Sequence, residues 1–187
     1  MQLSKFSYYS DFVIYPLVVA LLTAMSIAHL SWQSGGEWLG ACVAGLLLWT
    51  LMEYVLHRIA LHRVAVFSQM HGLHHASPLA FIGTPTWISV SVLGTGILVP
   101  AWWALGFDAA DGLTSGVMLG YWWYGIVHHV IHHRSDKSSP AFFNDLRAWH
   151  MRHHYSPKSG NFGVTTPLWD HLFGTAIGAR GREAVSS

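Results

Sequence analysis

The chain has 187 residues, of which 52% are apolar and only 10% charged, against about 25% charged in an ordinary soluble domain. So few charges cannot cover a water-soluble surface, so residues 1–187 read as a single all-α domain embedded in a membrane. Nine acids against ten bases exclude an electrostatic nucleic-acid binder, and one cysteine excludes both a disulfide framework and a thiolate-built zinc or iron–sulfur site.

Four stretches have the roughly 20 apolar residues that a bilayer crossing needs: 12–30, 38–56, 86–107 and 112–131. Each is predicted helical, because a chain in lipid must satisfy its own backbone hydrogen bonds. Pro16 and Pro100 are expected to kink the first and third spans. The first is a retained span and not a cleaved signal: its apolar stretch is long, only Lys5 precedes it as a base, and a second span follows at once. Residues 57–85 and 132–175 form the predicted histidine-rich cap. Linkers 31–37 and 108–111 contain no Lys or Arg. All ten bases (Lys5, Arg58, Arg63, Arg134, Lys137, Arg147, Arg152, Lys158, Arg180 and Arg182) fall on the other side. The positive-inside rule then places both termini and the cap in the cytoplasm, on a bacterial inner membrane or the endoplasmic reticulum.

Histidine is the compositional outlier, with 14 copies. Only His29 stands apart, and it reads as structural or interfacial. His57 and His62 leave the second span five residues apart. On an ideal α-helix that spacing turns the second ring about 140° away, so a break, or approach from two sides, is expected. His71, His74 and His75 can share one helix face, as can His150, His153 and His154. His128 and His132 stack on one face of the fourth span, with His129 and His133 turned about 100° aside. Two HxxHH triplets, one HxxxxH and one HxxxH supply ten nitrogens at one membrane depth. That is too many for one ion and about five for each of two. Nitrogen ligation without thiolate suits Fe, Zn, Cu or Ni. A pH-sensing or merely polar histidine patch is disfavoured, because clustered protonation would repel itself.

Around these histidines, Glu53 lies one turn before His57 and is expected to accept its ring N–H, or else to pair with Arg58. Asp145 and Asp170 are further supporting carboxylates, the alternative being helix caps or surface charges. Tyr121, Trp122, Trp123 and Tyr124 precede His128 and offer walls for an acyl channel, the alternative being ordinary helix packing. Gly116, Gly120 and Gly125 give room for close helix approach or for a lipid chain.

The segments EYVLHRIALHR (53–63), HGLHHASP (71–78), HHVIHH (128–133), WHMRHH (149–154) and SGNFGVTTPLWDHLFGT (159–175) together resemble the fatty acid hydroxylase superfamily of integral-membrane di-iron enzymes. That superfamily includes fatty acid 2-hydroxylases, sterol desaturases and, more distantly, carotenoid hydroxylases. The motif order is most similar to the fatty acid 2-hydroxylase branch. The resemblance implies His57, His62, His71, His74, His75, His128, His132, His150, His153 and His154 as ligands of two irons. His129, His133 and His171 fall outside the pattern, with His171 in a segment expected to pack against the site. The resemblance also implies O2 as co-substrate and hydroxylation of a membrane lipid, most simply a fatty acyl chain, with zinc an alternative occupant in purified protein. Only about 11 residues precede the first span, so electrons are expected from a separate ferredoxin- or haem-protein-like donor and its reductase. Gly125 follows Tyr124 where that branch often carries an acid, a departure that bears on the substrate. Carotenoid or sterol oxidation within the superfamily, and metal binding without catalysis, are the competing readings.

Overall fold

Ser4 accepts a hydrogen bond from the Ser7 amide (3.1 Å) and starts α1 at Lys5–Ile27, seven residues before the predicted span. The computed structural model describes residues 1–28, 32–134 and 140–178. His29, Lys137, Arg180 and Arg182 lie outside the described residues. Helix α2 is Trp32–Val55 and continues without a break into a π-helical turn, Leu56–Leu61. Helix α3 is Ala65–Ala76, α4 is Thr86–Leu93, and a second π turn, Gly94–Leu98, leads into α5, Val99–Leu105. The π turn precedes Pro100, whose ring obstructs regular helix closure on the preceding turn. Gly106, at φ 85°, ends this run two residues before its predicted end. Helices α6 (Phe107–His133), α7 (Ala141–Tyr155) and the short α8 (Leu168–Leu172) complete the described chain.

Three segments are long and apolar enough to cross a membrane: Lys5–Ile27, Gly35–Leu61 and Thr86–Leu105. Helix α6 is long enough but different in character. It is the central helix, and from Ala110 to Gly120 every residue except Leu113 and Leu119 is buried against protein. A helix sheathed by its neighbours has no need of an apolar face for lipid, which is why α6 tolerates Asp111, Thr114 and Ser115. Asp111 accepts from Ser26 and from Trp38 Nε1 (3.2 Å), tying α1 and α2 to α6 at the end remote from the histidines. At the other end Tyr8 meets His129 and Trp122 Nε1 donates to the Phe12 carbonyl (3.2 Å). Helix α1 therefore runs antiparallel to α6, and α2 runs parallel to it.

The α2–α6 seam sets the geometry of the bundle. A Cβ on Gly112 would strike the Trp38 carbonyl, one on Gly116 the Cys42 carbonyl, and one on Gly120 the Trp49 side chain. Gly45 faces the α6 backbone in the same way. Small residues one turn apart let two backbones touch, as in membrane helix pairs generally. Tyr15, Val19, Leu22, Trp49, Leu93, Val117 and Met118 form the core beside the seam. Gly125 is different: nothing lies within 4 Å of its would-be Cβ. Gly116→Leu is therefore expected to destabilise the protein by at least about 1–3 kcal/mol through overpacking. Gly125→Ala is expected to be neutral or slightly stabilising. Thermal unfolding of the two variants in detergent checks the contrast.

Candidate metal centre

The histidines converge because each element solves a different spacing problem. The 57–62 pair, which an α-helix would splay, sits on the π turn. There i→i+5 bonding brings residues five apart over one another, and the two rings stack with centroids 5.2 Å apart. This widened turn was absent from the sequence expectation of a break. Helices α3 and α7 present their HxxHH triplets on single faces, and α6 presents His128 and His132, with centroids 4.6 Å apart.

Two groups result. His57, His62, His71, His75 and His153 place one ring nitrogen each within 4.8 Å of one another, and His74, His128, His132 and His150 do the same. His154 adjoins the second group, its Nε2 3.1 Å from His150 Nε2, and its ring stacks on His75. Within the first group Nε2 atoms lie 2.9 Å (His57–His71), 3.0 Å (His71–His75), 3.1 Å (His75–His153) and 3.1 Å (His62–His153) apart. In the second they lie 3.1 Å (His74–His128) and 3.0 Å (His132–His150) apart. Neutral imidazoles have one N–H each and cannot satisfy so many converging nitrogens with hydrogen bonds. Two nitrogens each about 2.1 Å from one ion and at right angles to each other lie about 3.0 Å apart. The donor sets thus fit two metal ions.

The tail between α7 and α8 orients part of this set. His57 Nδ1–H donates to the Phe162 carbonyl (2.5 Å) and His153 Nδ1–H to the Gly160 carbonyl (2.8 Å). These bonds select the tautomer whose Nε2 lone pair faces the group. The tail is held by buried side chains. Glu53 accepts from the amides of Val164 (2.5 Å) and Thr165 (2.9 Å) and from the Thr165 hydroxyl (2.6 Å). Asp170 accepts from the amides of Phe162 (2.9 Å) and Gly163 (2.8 Å) and from the hydroxyl of Thr175 (2.7 Å). Asn161, at φ 55°, donates to the Trp149 carbonyl (3.2 Å) and accepts from the Ile177 amide (2.6 Å).

Several expectations are corrected here. Glu53 meets neither His57 nor Arg58: backbone amides of the tail fill its carboxylate, and Arg58 donates to the Tyr54 hydroxyl instead (2.7 Å). Asp170 contacts backbone and hydroxyl donors of the tail and no imidazole. Asp145 is exposed on α7, and His171 is exposed with its ring 5.3 Å from Trp149, so neither reaches the histidine groups. His129 lies against Tyr8, and His133 stacks on Phe81. Asn161 and the carbonyls of Gly160 and Phe162 went unnoticed in the sequence. The NFG motif was their signal, but backbone carbonyls leave no residue-type signature.

A cavity of about 260 Å³ opens onto both groups, touching His57, His71, His74 and His128. Tyr121, Tyr124 and Gly125 line it together with Trp49, Phe12 and Leu56. Trp122, held on the Phe12 carbonyl, does not line it, and Trp123 is exposed.

The fatty acid hydroxylase family model matches residues 42–175. The chain belongs to the fatty acid hydroxylase family. It is 33% identical over 157 residues to the dihydroceramide fatty acyl 2-hydroxylase FAH2 of Arabidopsis thaliana, a match covering 76% of this chain and 63% of that protein. It is 31% identical over 156 residues to the fatty acid 2-hydroxylase of Rattus norvegicus, covering 74% of this chain and 40% of the relative. A solved structure of full-length scs7p, in which only the hydroxylase domain is visible, superposes with a TM-score of 0.80 at 26% identity, covering 94% of this chain and 68% of that one. The chain thus spans between two-fifths and two-thirds of the length of these curated relatives.

Burial sets the protonation of the cap imidazoles. With no ion bound, desolvation first, and then the neighbouring imidazoles, lower His62 to about 4 and His74 and His153 to about 3. These imidazoles are neutral at neutral pH. Their folded values lie below the ordinary 6.5, so between about pH 6.5 and pH 4 the unfolded chain binds protons that the folded chain does not. The metal-free protein is expected to lose stability as pH falls through that window, and to gain none from raising pH above it. Thermal unfolding after chelation, from pH 8 to pH 4.5, checks the sign.

Proposed function

We propose that this chain is an O2-dependent di-iron lipid hydroxylase acting on a fatty acyl chain. The observation that carries the reading is the apolar cavity whose inner wall is made of imidazoles from both histidine groups. The names of the relatives, fatty acyl and fatty acid 2-hydroxylases, support the acyl substrate and a position beside the carbonyl. All ten named histidines are the ligands in this reading: His57, His62, His71, His75 and His153 for one ion, and His74, His128, His132, His150 and His154 for the other. A pair of irons held there supplies reductive activation of O2, one oxygen entering a C–H bond and the other leaving as water, with two electrons and two protons from outside.

The protein's own part is to hold and to exclude. The Nδ1–H bonds to Gly160 and Phe162 keep two imidazoles aimed before any ion arrives. Tyr124 stacks on His128, with centroids 5.5 Å apart, and closes one flank of the cavity. Trp49, Phe12 and Tyr121 wall the cavity with apolar surface, so that a lipid tail displaces water beside the reacting centre. The missing acid at Gly125 leaves open volume along one wall. Electrons come from a separate donor and its reductase.

In this reading α6 is the fourth crossing, and the histidine groups face the cytoplasm with both termini. Support comes from charge: Lys5, Arg58, Arg63, Arg147 and Arg152 sit on the elements that carry or adjoin the histidines, while Glu37, Asp108 and Asp111 belong to the opposite end. A reporter active only outside the cytoplasm, fused at the C-terminus, is expected to stay silent.

Iron-loaded protein with a reductant, in lipid extract, is expected to yield an acyl product heavier by one oxygen. Gly125→Leu is expected to fill the cavity and cut turnover on the order of tenfold or more while retaining both ions. Product from sterol or carotenoid alone would overturn the acyl assignment. No lipid product and no O2 uptake above background would overturn the enzyme reading.

A further inference from the structure

The two histidine groups are not supported alike. In the five-histidine group, His57 and His153 each donate from Nδ1 to a carbonyl of the 160–165 tail. That tail is itself fastened by Glu53, Asn161 and Asp170, all of them buried. In the other group, His150 Nδ1 is buried with no hydrogen-bond partner among the described residues, and so is Nδ1 of the adjoining His154. An imidazole that binds an ion through Nε2 carries its proton on Nδ1, so a buried orphan there costs free energy that an anchored one does not. An N–H donated to a carbonyl also raises the basicity of the coordinating nitrogen and fixes the ring plane.

We propose that the two ions are held unequally: the group of His57, His62, His71, His75 and His153 is the tight site, and the group of His74, His128, His132 and His150, with the adjoining His154, is the exchangeable one. Glu53 and Asp170 are positioning residues for the tight site alone. They act through the backbone of Phe162 and its neighbours and touch no imidazole. This deepens the reading of the groups as a dinuclear centre and rests on it.

The test uses the full chain in detergent, loaded with Zn2+ and challenged with rising chelator, with metal per chain read by mass spectrometry. Two release steps are expected, the second at about 10–100-fold higher chelator. His150→Ala is expected to abolish the early step and keep the late one. Glu53→Gln and Asp170→Asn are expected to move the late step about tenfold toward the early one, with the early step in place. Thr165→Val removes only one hydroxyl donor from Glu53 and is expected to move the late step less, in the same direction. If Asp170→Asn fails to fold, Thr165→Val decides. A single release step in the parent protein, loss of the late step in His150→Ala, or equal weakening of both steps at unchanged thermal stability in Thr165→Val would overturn the assignment. Binding of fewer than two ions at saturation would instead overturn the dinuclear reading itself.

Discussion

The convergence of imidazole Nε2 atoms is the constraint to which the rest of the molecule answers. Nitrogens about 3 Å apart, several of them buried, are costly in an apolar bundle unless something positive draws on their lone pairs. Burial keeps the cap imidazoles unprotonated, so they do not repel one another as cations. The same burial leaves them ready to act as neutral ligands. Stability and the capacity of these groups to hold a metal ion therefore rest on one arrangement, that of unprotonated rings.

Holding that arrangement takes structure from three distances. At the far end of the bundle, Asp111 fastens α1 and α2 to α6. Along the middle, the glycine seam lets α2 and α6 approach until backbone meets side chain or backbone, which fixes the depth at which His57 and His128 emerge. At the near end, the 160–165 tail returns from α7 and presses two carbonyls onto His57 and His153. The carboxylates of Glu53 and Asp170 contribute indirectly. Each gathers backbone amides that would otherwise be buried without acceptors, and so shapes the loop that aims the imidazoles. Among the described residues no carboxylate joins either histidine group.

The cavity follows from the same packing. Glycine at 125 leaves open space on the face of α6 that adjoins His128, while glycines at 112, 116 and 120 close the face toward α2. One residue type serves opposite ends on one helix, and only the neighbour decides which. Tyr121 and Tyr124 line the cavity because α6 turns them toward α1 and α2, whereas Trp122, one residue from Tyr121, is spent on the Phe12 carbonyl.

The amino-acid sequence by itself determined the helical class, the histidine spacings and the family, and of its four expected spans three are long, apolar helices, because periodicity and ligand chemistry are carried by residue types. The HxxHH triplets needed only the geometry of one helix. What only the tertiary structure decided was everything resting on backbone or on distant partners. The π turn that unites His57 and His62 has no residue signature within LHRIAL. The division of the histidines into groups of five and four depends on which faces of α3, α6 and α7 meet. Glu53 lies one turn from His57 in sequence, yet it serves amides 111 and 112 residues away. Asp145 and Asp170 look alike as charges, but only the fold buries one in the tail and leaves the other exposed. A side chain's type states which bonds it can make. Its partner is chosen by long-range packing, and that choice is made only when the bundle closes.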